Sequence, residues 1–526
     1  MKSKLIPSLV FVLFSLQVSA QKKALESITE NELKAHVEFI ASDQMQGRSF
    51  STPIPGLDIT ADYLRTQLTL SGLKPAGESY FQQVKLFSVR QDTLNSTITL
   101  KDKNNNVLVE SRDFVSYFDS VQNELIKTEL IFAGYGWTDP DTGYDDLEGL
   151  DVEGKFVMVM TRNPAFAKDT SKTGFFQEVE FAKIVNIFSK GAKGVLIYND
   201  PLNVADILYE TMRQNILKGT YLLENNNLSL IPGKLIFIPA QLANELLKTQ
   251  NKSIEGLQNE IHKTGKPQSF QFNSVSAEIQ LSKKTESVNG KNVIAHIEGN
   301  DPELKKECVI ISAHYDHVGI QPDGRVFNGA DDNASGTAAL LEIAEAFSQM
   351  KKKPRRSIVF VWFTAEELGI LGSEYYTRFP LYSLPNTVAC INLDMVGRIK
   401  EDDDTAWSVS NSVAGKNGFY IISCKQSSEL MEISHKISKK QSLEPNDALT
   451  DVFLNRSDYY PFYRKGIPVM GLTTGLHSDY HQVSDDVEKI NYAKMKRLAE
   501  FAFLVTQKVS NQKRRIVVDN SITPNN

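Results

Sequence analysis

The chain has 526 residues, and 58 Lys and Arg against 64 Asp and Glu leave a net charge of −6. A hydrophobic share of 41% with 23% charged residues is an ordinary soluble globular balance, and the length suits roughly three domains. The mild acidity and the lack of a long basic run argue against nucleic acid as a partner.

Lys2 and Lys4 precede the apolar run LIPSLVFVLFSL, and Val18-Ser19-Ala20 reads as a small-residue cleavage site before Gln21. Residues 1–20 are expected to be a secretory signal peptide. The mature chain is then exported, to the periplasm or the medium, with no stable membrane insertion. Next, Thr29 to Glu32 (TENE) spells a capping box that opens a helix through about Ile40. A second helical pattern, DITADYLRTQLTLSG, ends at Gly72, and residues 95–130 alternate like strands with a turn at Asp102 to Asn106. From about 129 to 250 the text LIFAGYGW, VEGKFVMVM, AKIVNIFSKGAKG, VLIYND reads as a small α/β unit, and the polar text from Asn251 to Glu286 reads as its exit.

From Asn292 a second α/β pattern begins. Its strands are NVIAHIEG, CVIISA, SIVFVWFT, TVACINLD and IPVMGLTT, with helices between them and a last helix NYAKMKRLAEFAFLVTQKV. Near-continuous apolar strands alternating with helices point to a sheet covered on both faces. The tail from 511 to 526 is expected to be flexible. Cys308, Cys390 and Cys424 lie in apolar, strand-like runs and read as buried free thiols.

Ligands of such sheets bind beyond the carboxyl ends of the strands. CVIISA ends at His314-Tyr315-Asp316-His317, SIVFVWFTA at Glu366-Glu367 and TVACINL at Asp394, while IPVMGLTT runs on to His477 and His481. The segment FNGADDNASG, with Asp331 and Asp332, falls on the same rim before a helix. Carboxylates crowded on one rim repel, and neutral imidazoles add no fixed positive charge, so divalent cations would resolve the conflict. Mixed imidazole and carboxylate ligands suit zinc. Five ligands serve two metals when one carboxylate bridges, and a further carboxylate must stay free to take a proton from water. One aspartate of the pair suits the bridge; the other suits a cap or a support.

At HYDH, NGADDNASG, TAEELGILGS, NLDMVGR and DYHQVSDD the chain resembles the family-28 metallopeptidases, over about 292 to 508, with MQGRSF and YLRTQLTLSGLKPAG similar to the family's opening helices. The resemblance implies a zinc-exopeptidase-like mixed sheet sandwiched by helices. VEGKFVMVM, GAKGVLIYND and IPAQLANELL resemble an inserted α/β protease-associated domain. The implied division is a catalytic domain in two parts, 24–115 and 285–510, around an insert at 116–284. It further implies two zinc ions per chain: His314 and Asp394 on one, Glu367 and His481 on the other, and Asp332 bridging. Asp331 and Asp316 would support these ligands, the latter by orienting His314. Glu366 would be the general base and Tyr480 a donor to the oxyanion. His317 and His477 are set aside as ligands, and Tyr459 stands where many relatives carry histidine. The implied function is an exported zinc aminopeptidase, a hydrolase that uses a dizinc-activated water on the N-terminal bond of peptide substrates. A glutaminyl cyclase-like transferase and a carboxypeptidase of the same fold are the alternatives.

Overall fold

The computed structural model describes residues 23–117, 122–164, 166, 178–200, 207–224, 233–400, 408 and 411–520. The expected signal peptide, 1–20, lies outside the described residues. Two units emerge. One joins the chain up to Lys85 with the chain from Asn289; the other is Leu86–Val288. The change-over thus falls at Leu86 rather than at the expected residue 116.

The first unit opens with helix α1 (Glu30–Ile40), whose Leu33, Val37 and Ile40 fall on one buried stripe. Thr29 Oγ1 accepts from Glu32 N at 3.1 Å, as a capping box requires. The reciprocal bond is replaced: Thr29 N donates to Glu342 Oε2, at 3.1 Å, and the Glu32 carboxylate takes the Thr29 hydroxyl. Helix α2 (Gly56–Leu70) buries Leu57, Ala61, Leu64 and Leu68 in the same way.

The main sheet follows. Its strands are β1 (Lys283–Ile297), β2 (Cys308–His314), β3 (Ser357–Phe363), β4 (Thr387–Leu393), β5 (Gly418–Ile422), β6 (Glu444–Asn446) and β7 (Val469–Thr473). They lie in the order β1-β3-β2-β4-β7-β5-β6. The central strands β3, β2, β4 and β7 are mutually parallel, with Val359, Ile310, Cys390 and Val469 in register across them. β1 and β5 join antiparallel, so the sheet is mixed.

Between the strands run α3 (Gly336–Ser348), α4 (Leu371–Arg378), α5 (Ser428–Lys440), α6 (Tyr459–Arg464) and α7 (Tyr492–Ser510). Strand periodicity divides the core in two. Val309, Ile311 and Ala313 pack with α1, α2, α3 and α7, while Cys308 and Ile310 pack with Tyr376 of α4 and Phe462 of α6. That is why β2, β3 and β4 are buried throughout and mostly apolar: each residue meets a helix layer on one side or the other. α3 needs its small residues. A Cβ on Gly336 would lie 2.5 Å from the carbonyl oxygen of Leu393, so β4 and the start of α3 can approach only with glycine there.

The expected flexible tail is not free over 511–520. Ile516 is buried, the Gln512 carbonyl accepts from Arg356 Nη1 at 2.6 Å, and the Asp519 carboxylate accepts from Ser428 N at 2.8 Å. Its polar text hid one apolar anchor and several backbone partners. The three cysteines are buried thiols.

The second unit has its own core. A parallel set, Leu130–Phe132, Phe156–Met160, Gly194–Tyr198 and Lys234–Phe237, is flanked by Phe270–Gln271 and Val115–Ser116. A four-stranded antiparallel sheet contains Thr97–Asp102 and Val275–Leu281. The supposed polar exit is structured: Ser253 caps a helix Ile254–Thr264 that ends at Gly265 in the left-handed region.

Candidate metal centre

Each chemistry-bearing segment leaves the carboxyl end of a parallel strand, as the topology requires. His314 is the last residue of β2, Glu366 and Glu367 follow β3, Asp394 follows β4, and the turn after β7 carries His477, Tyr480 and His481. Asp331 and Asp332 sit in the wound turn Ala330–Ser335 that leads into α3.

These side chains converge into two donor clusters. One is His314, Asp332 and Asp394; the other is His317, Asp332, Glu367 and His481. Asp332 belongs to both and divides its oxygens between them. Oδ1 lies 3.5 Å from His314 Nε2, and Oδ2 lies 3.1 Å from His481 Nε2. Asp394 Oδ1 lies 3.4 Å from His314 Nε2, and Glu367 Oε2 lies 3.0 Å from His481 Nε2. Asp332 Oδ2 and His481 Nε2 are buried and make no hydrogen bond despite their approach. Buried polar atoms without partners are costly, and donors converging without proton-sharing geometry are what a divalent cation satisfies. The residues present therefore fit a metal.

The charges point the same way. Burial disfavours a charged His314, yet Asp394, Glu366 and Asp332 around it hold its pKa well above the ordinary value. His481 is likewise carried, against burial, to about 10 by Asp332 and Glu367. The surrounding carboxylates favour positive charge at these imidazoles, so a proton and a cation would compete for the same nitrogens.

Supports radiate from the ligands. Asp394 Oδ2 accepts from Ser457 Oγ at 2.7 Å, which turns Oδ1 toward His314. Asp331, beside the shared aspartate, accepts from Gly397 N at 2.7 Å and meets His477 Nε2 at 3.2 Å. His477 therefore stands behind Asp331, outside both clusters. Asp316 contacts both His314 and the Glu366-Glu367 pair. His314 Nδ1 contacts its carbonyl at 3.2 Å, while its carboxylate accepts from the Glu366 and Glu367 backbone N–H groups at 3.1 and 3.2 Å. Asp316 Oδ1 also lies 3.8 Å from His314 Nδ1, so the residue faces the imidazole as well as positioning the Glu366-Glu367 pair.

His317, set aside on sequence grounds, is also drawn in: Nδ1 lies 2.8 Å from Glu367 Oε1. Three further residues escaped sequence reasoning. Arg48 is fully buried, and its guanidinium donates to the carbonyls of Tyr315, Ile40, Asn328 and Gly329, at 2.7–3.0 Å. Asp485 accepts from the backbone N–H groups of Asp331 and Asp332, at 3.0 Å each. Asp458 is buried with both carboxyl oxygens unpartnered, and burial pushes its pKa up to about 7. Arg48 lies in MQGRSF and Asp458 in SDYYPF, but neither segment carries a mark of burial. Gly329 lets the turn close: at φ 58°, a Cβ there would lie 2.5 Å from the His317 ring.

Glu366 lines the cleft beside the clusters. Burial first, then the negative charges of Glu367, Asp458 and Asp394, hold its pKa well above the ordinary range, although His314 pulls the other way. The Tyr480 ring stacks on His481 with centroids 3.9 Å apart, and burial beside four carboxylates keeps its hydroxyl protonated. The cleft is open, about 550 Å³, with Met395, Ile422, Phe453, Leu472 and Leu476 on its apolar side. Tyr459 presents its ring there, but its hydroxyl is spent on the Phe453 carbonyl.

The profile of peptidase family M28 matches residues 292–506, the segment that carries every donor described above. These residues belong to that family. Leucine aminopeptidase 2 of Trichophyton equinum is 29% identical over 191 residues, covering 35% of this chain and 33% of its own length. Aminopeptidase YwaD of Bacillus subtilis (strain 168) is 30% identical over 211 residues, covering 39% of this chain and 40% of its own. The chain thus spans well under half the length of these relatives. An aminopeptidase from Aneurinibacillus sp. strain AM-1 shares the fold at a TM-score of 0.53 and 18% identity, over 95% of this chain and 98% of that one. Among the described residues no helix is long and apolar enough to cross a membrane.

Proposed function

We propose that the M28 segment hydrolyses the N-terminal peptide bond of peptides, as a metallo-aminopeptidase with two zinc ions. The observation that carries this reading is the split of the Asp332 carboxylate between the His314 and His481 clusters. The relatives' names, leucine aminopeptidase and aminopeptidase, support the reaction class. His314 and Asp394 would hold one ion, Glu367 and His481 the other, and Asp332 both. His317 holds the Glu367 carboxylate in place through Nδ1.

When bound, the cations supply Lewis acidity toward a carbonyl oxygen and lower the pKa of water. The rest falls to the chain. Glu366, aimed by the Asp316 carboxylate through its own backbone N–H, takes the proton of the attacking water and returns it to the leaving amine. Tyr480 keeps its proton and donates a hydrogen bond where negative charge grows on the carbonyl oxygen. Lys2, Lys4 and the apolar run before Ala20 support export of the chain.

The test is mass spectrometry of a peptide with a free N-terminus and its N-acetylated twin, with and without chelator. Stepwise loss from the free peptide alone, abolished by chelator, is the expected result. Loss of ammonia from an N-terminal glutamine would transfer the site to cyclisation, and shortening from the other end would make it a carboxypeptidase.

A further inference from the structure

The cleft wall carries one feature the reaction does not require. Arg456 is the only lysine or arginine among the described residues that line the cleft. It is exposed, and its guanidinium makes no hydrogen bond or ion pair among the described residues. It lies over the Phe453 ring at 5.7 Å, a contact that fixes an arginine without using up its N–H groups. It immediately precedes Ser457, whose hydroxyl is bonded to Asp394, so it is anchored one residue from the donor clusters. Two other arginines near the site are committed: Arg398 Nη2 donates to Asp479 at 2.8 Å with Nη1 3.7 Å from Asp485, and Arg48 is spent on backbone carbonyls.

A fixed, uncommitted guanidinium beside an apolar wall is a fork for a carboxylate that arrives on an aliphatic stem. We propose that Arg456 recognises a carboxylate of the substrate and sets a preference for substrates that present one within reach of the cleft wall. This rests on the peptidase reading above. Two substrate groups carry the same chemistry: the side chain of an N-terminal glutamate, and the free C-terminal carboxylate of a dipeptide.

Four substrates separate them. The first pair is a C-terminally amidated peptide beginning with Glu and its counterpart beginning with Met, which has a similar length and no charge. The second is Leu-Ala with a free or an amidated C-terminus. kcat/KM is measured for the zinc-loaded full chain and for Arg456→Met and Arg456→Lys. In one pair, the ratio of charged to neutral substrate falls about tenfold or more in Arg456→Met, mostly through KM, and recovers in part in Arg456→Lys. The pair that responds identifies the carboxylate. Trimming with both ratios unmoved sinks the Arg456 proposal alone. No trimming of any of the four by the unsubstituted enzyme sinks the peptidase reading, and this proposal with it.

Discussion

Asp332 is the pivot of the proposed centre because, among the described residues, no other offers an oxygen to both clusters. Around it, carboxylates of similar type are given different tasks by their surroundings. Burial would raise Glu367, but the hydrogen bond with His317 and the close approach of the His481 imidazole hold it well below the ordinary range, so it stays charged. Glu366, its neighbour in sequence, is pushed up by burial and by Glu367 itself, so it can carry a proton. A pair of carboxyls driven apart in this way supports the proposed division, with Glu366 as the proton carrier. Glu366→Gln should therefore lower kcat by about 10²–10⁴-fold while zinc content is retained. Turnover assays alongside metal analysis check this, and an active Gln variant would remove Glu366 from its role. Tyr480→Phe removes only a hydroxyl. A loss of about 10²–10³-fold in kcat with little change in KM is expected from losing a donor to a developing oxyanion; a change confined to KM would make Tyr480 a wall of the cleft instead.

At the scale of elements, the turn after β7 must hold His481 without a helix or strand to stiffen it. Asp479 does this work. It accepts from Arg398 Nη2 at 2.8 Å, Ser484 Oγ at 2.6 Å and Lys489 Nζ at 2.6 Å. Burial alone would raise its pKa, but these donors hold it well below the ordinary carboxylate value. A depressed carboxyl adds stability above its unfolded pKa of about 3.9, and that stability is lost as pH falls below it. Asp479→Asn should flatten the acid limb of a Tm-against-pH curve and weaken zinc retention in a chelator competition. An unchanged acid limb would mean the turn is held by other contacts. This turn also marks how far the sequence could be read. The strand ends were legible because apolar runs of β2, β3 and β4 stop abruptly at His314, Glu366 and Asp394, and a parallel sheet gathers such ends on one edge. The helix Ile254–Thr264 was missed because its apolar set is thin, Ile254, Leu257 and Ile261 in otherwise polar text. Its cap Ser253 and stop Gly265 were nonetheless there to be read. Arg48, Asp458 and Asp485 were not legible at all, since a charged residue announces burial only through partners far away in the chain.

For the whole molecule, the crowding of acids would make a bound cation part of the fold. Asp316 and Asp485 are each raised by burial to about 6, and Asp458 to about 7, so the region under the cleft already strains against its own charge. A cation that binds only the folded form adds about 2.7 kcal/mol at a hundredfold excess over Kd. Chelation should lower the melting temperature of the first unit by about 4 °C for each cation removed. The second unit has its own apolar clusters, and among its described residues no donor cluster, so its transition should stay in place in the same calorimetric scan. The gap also has a direction with pH. In the metal-free protein, the raised pKa of His481 contributes stability that is complete below about 6.5, its unfolded value, and is lost as pH rises through about 10. In the loaded protein that nitrogen holds no proton to lose. The difference in melting temperature between loaded and chelated samples should then be larger at pH 9 than at pH 6. An equal gap at both would mean that protons do not replace the cations at His481, and the electrostatic case for the centre would have to rest on the orphaned Asp332 and His481 atoms alone.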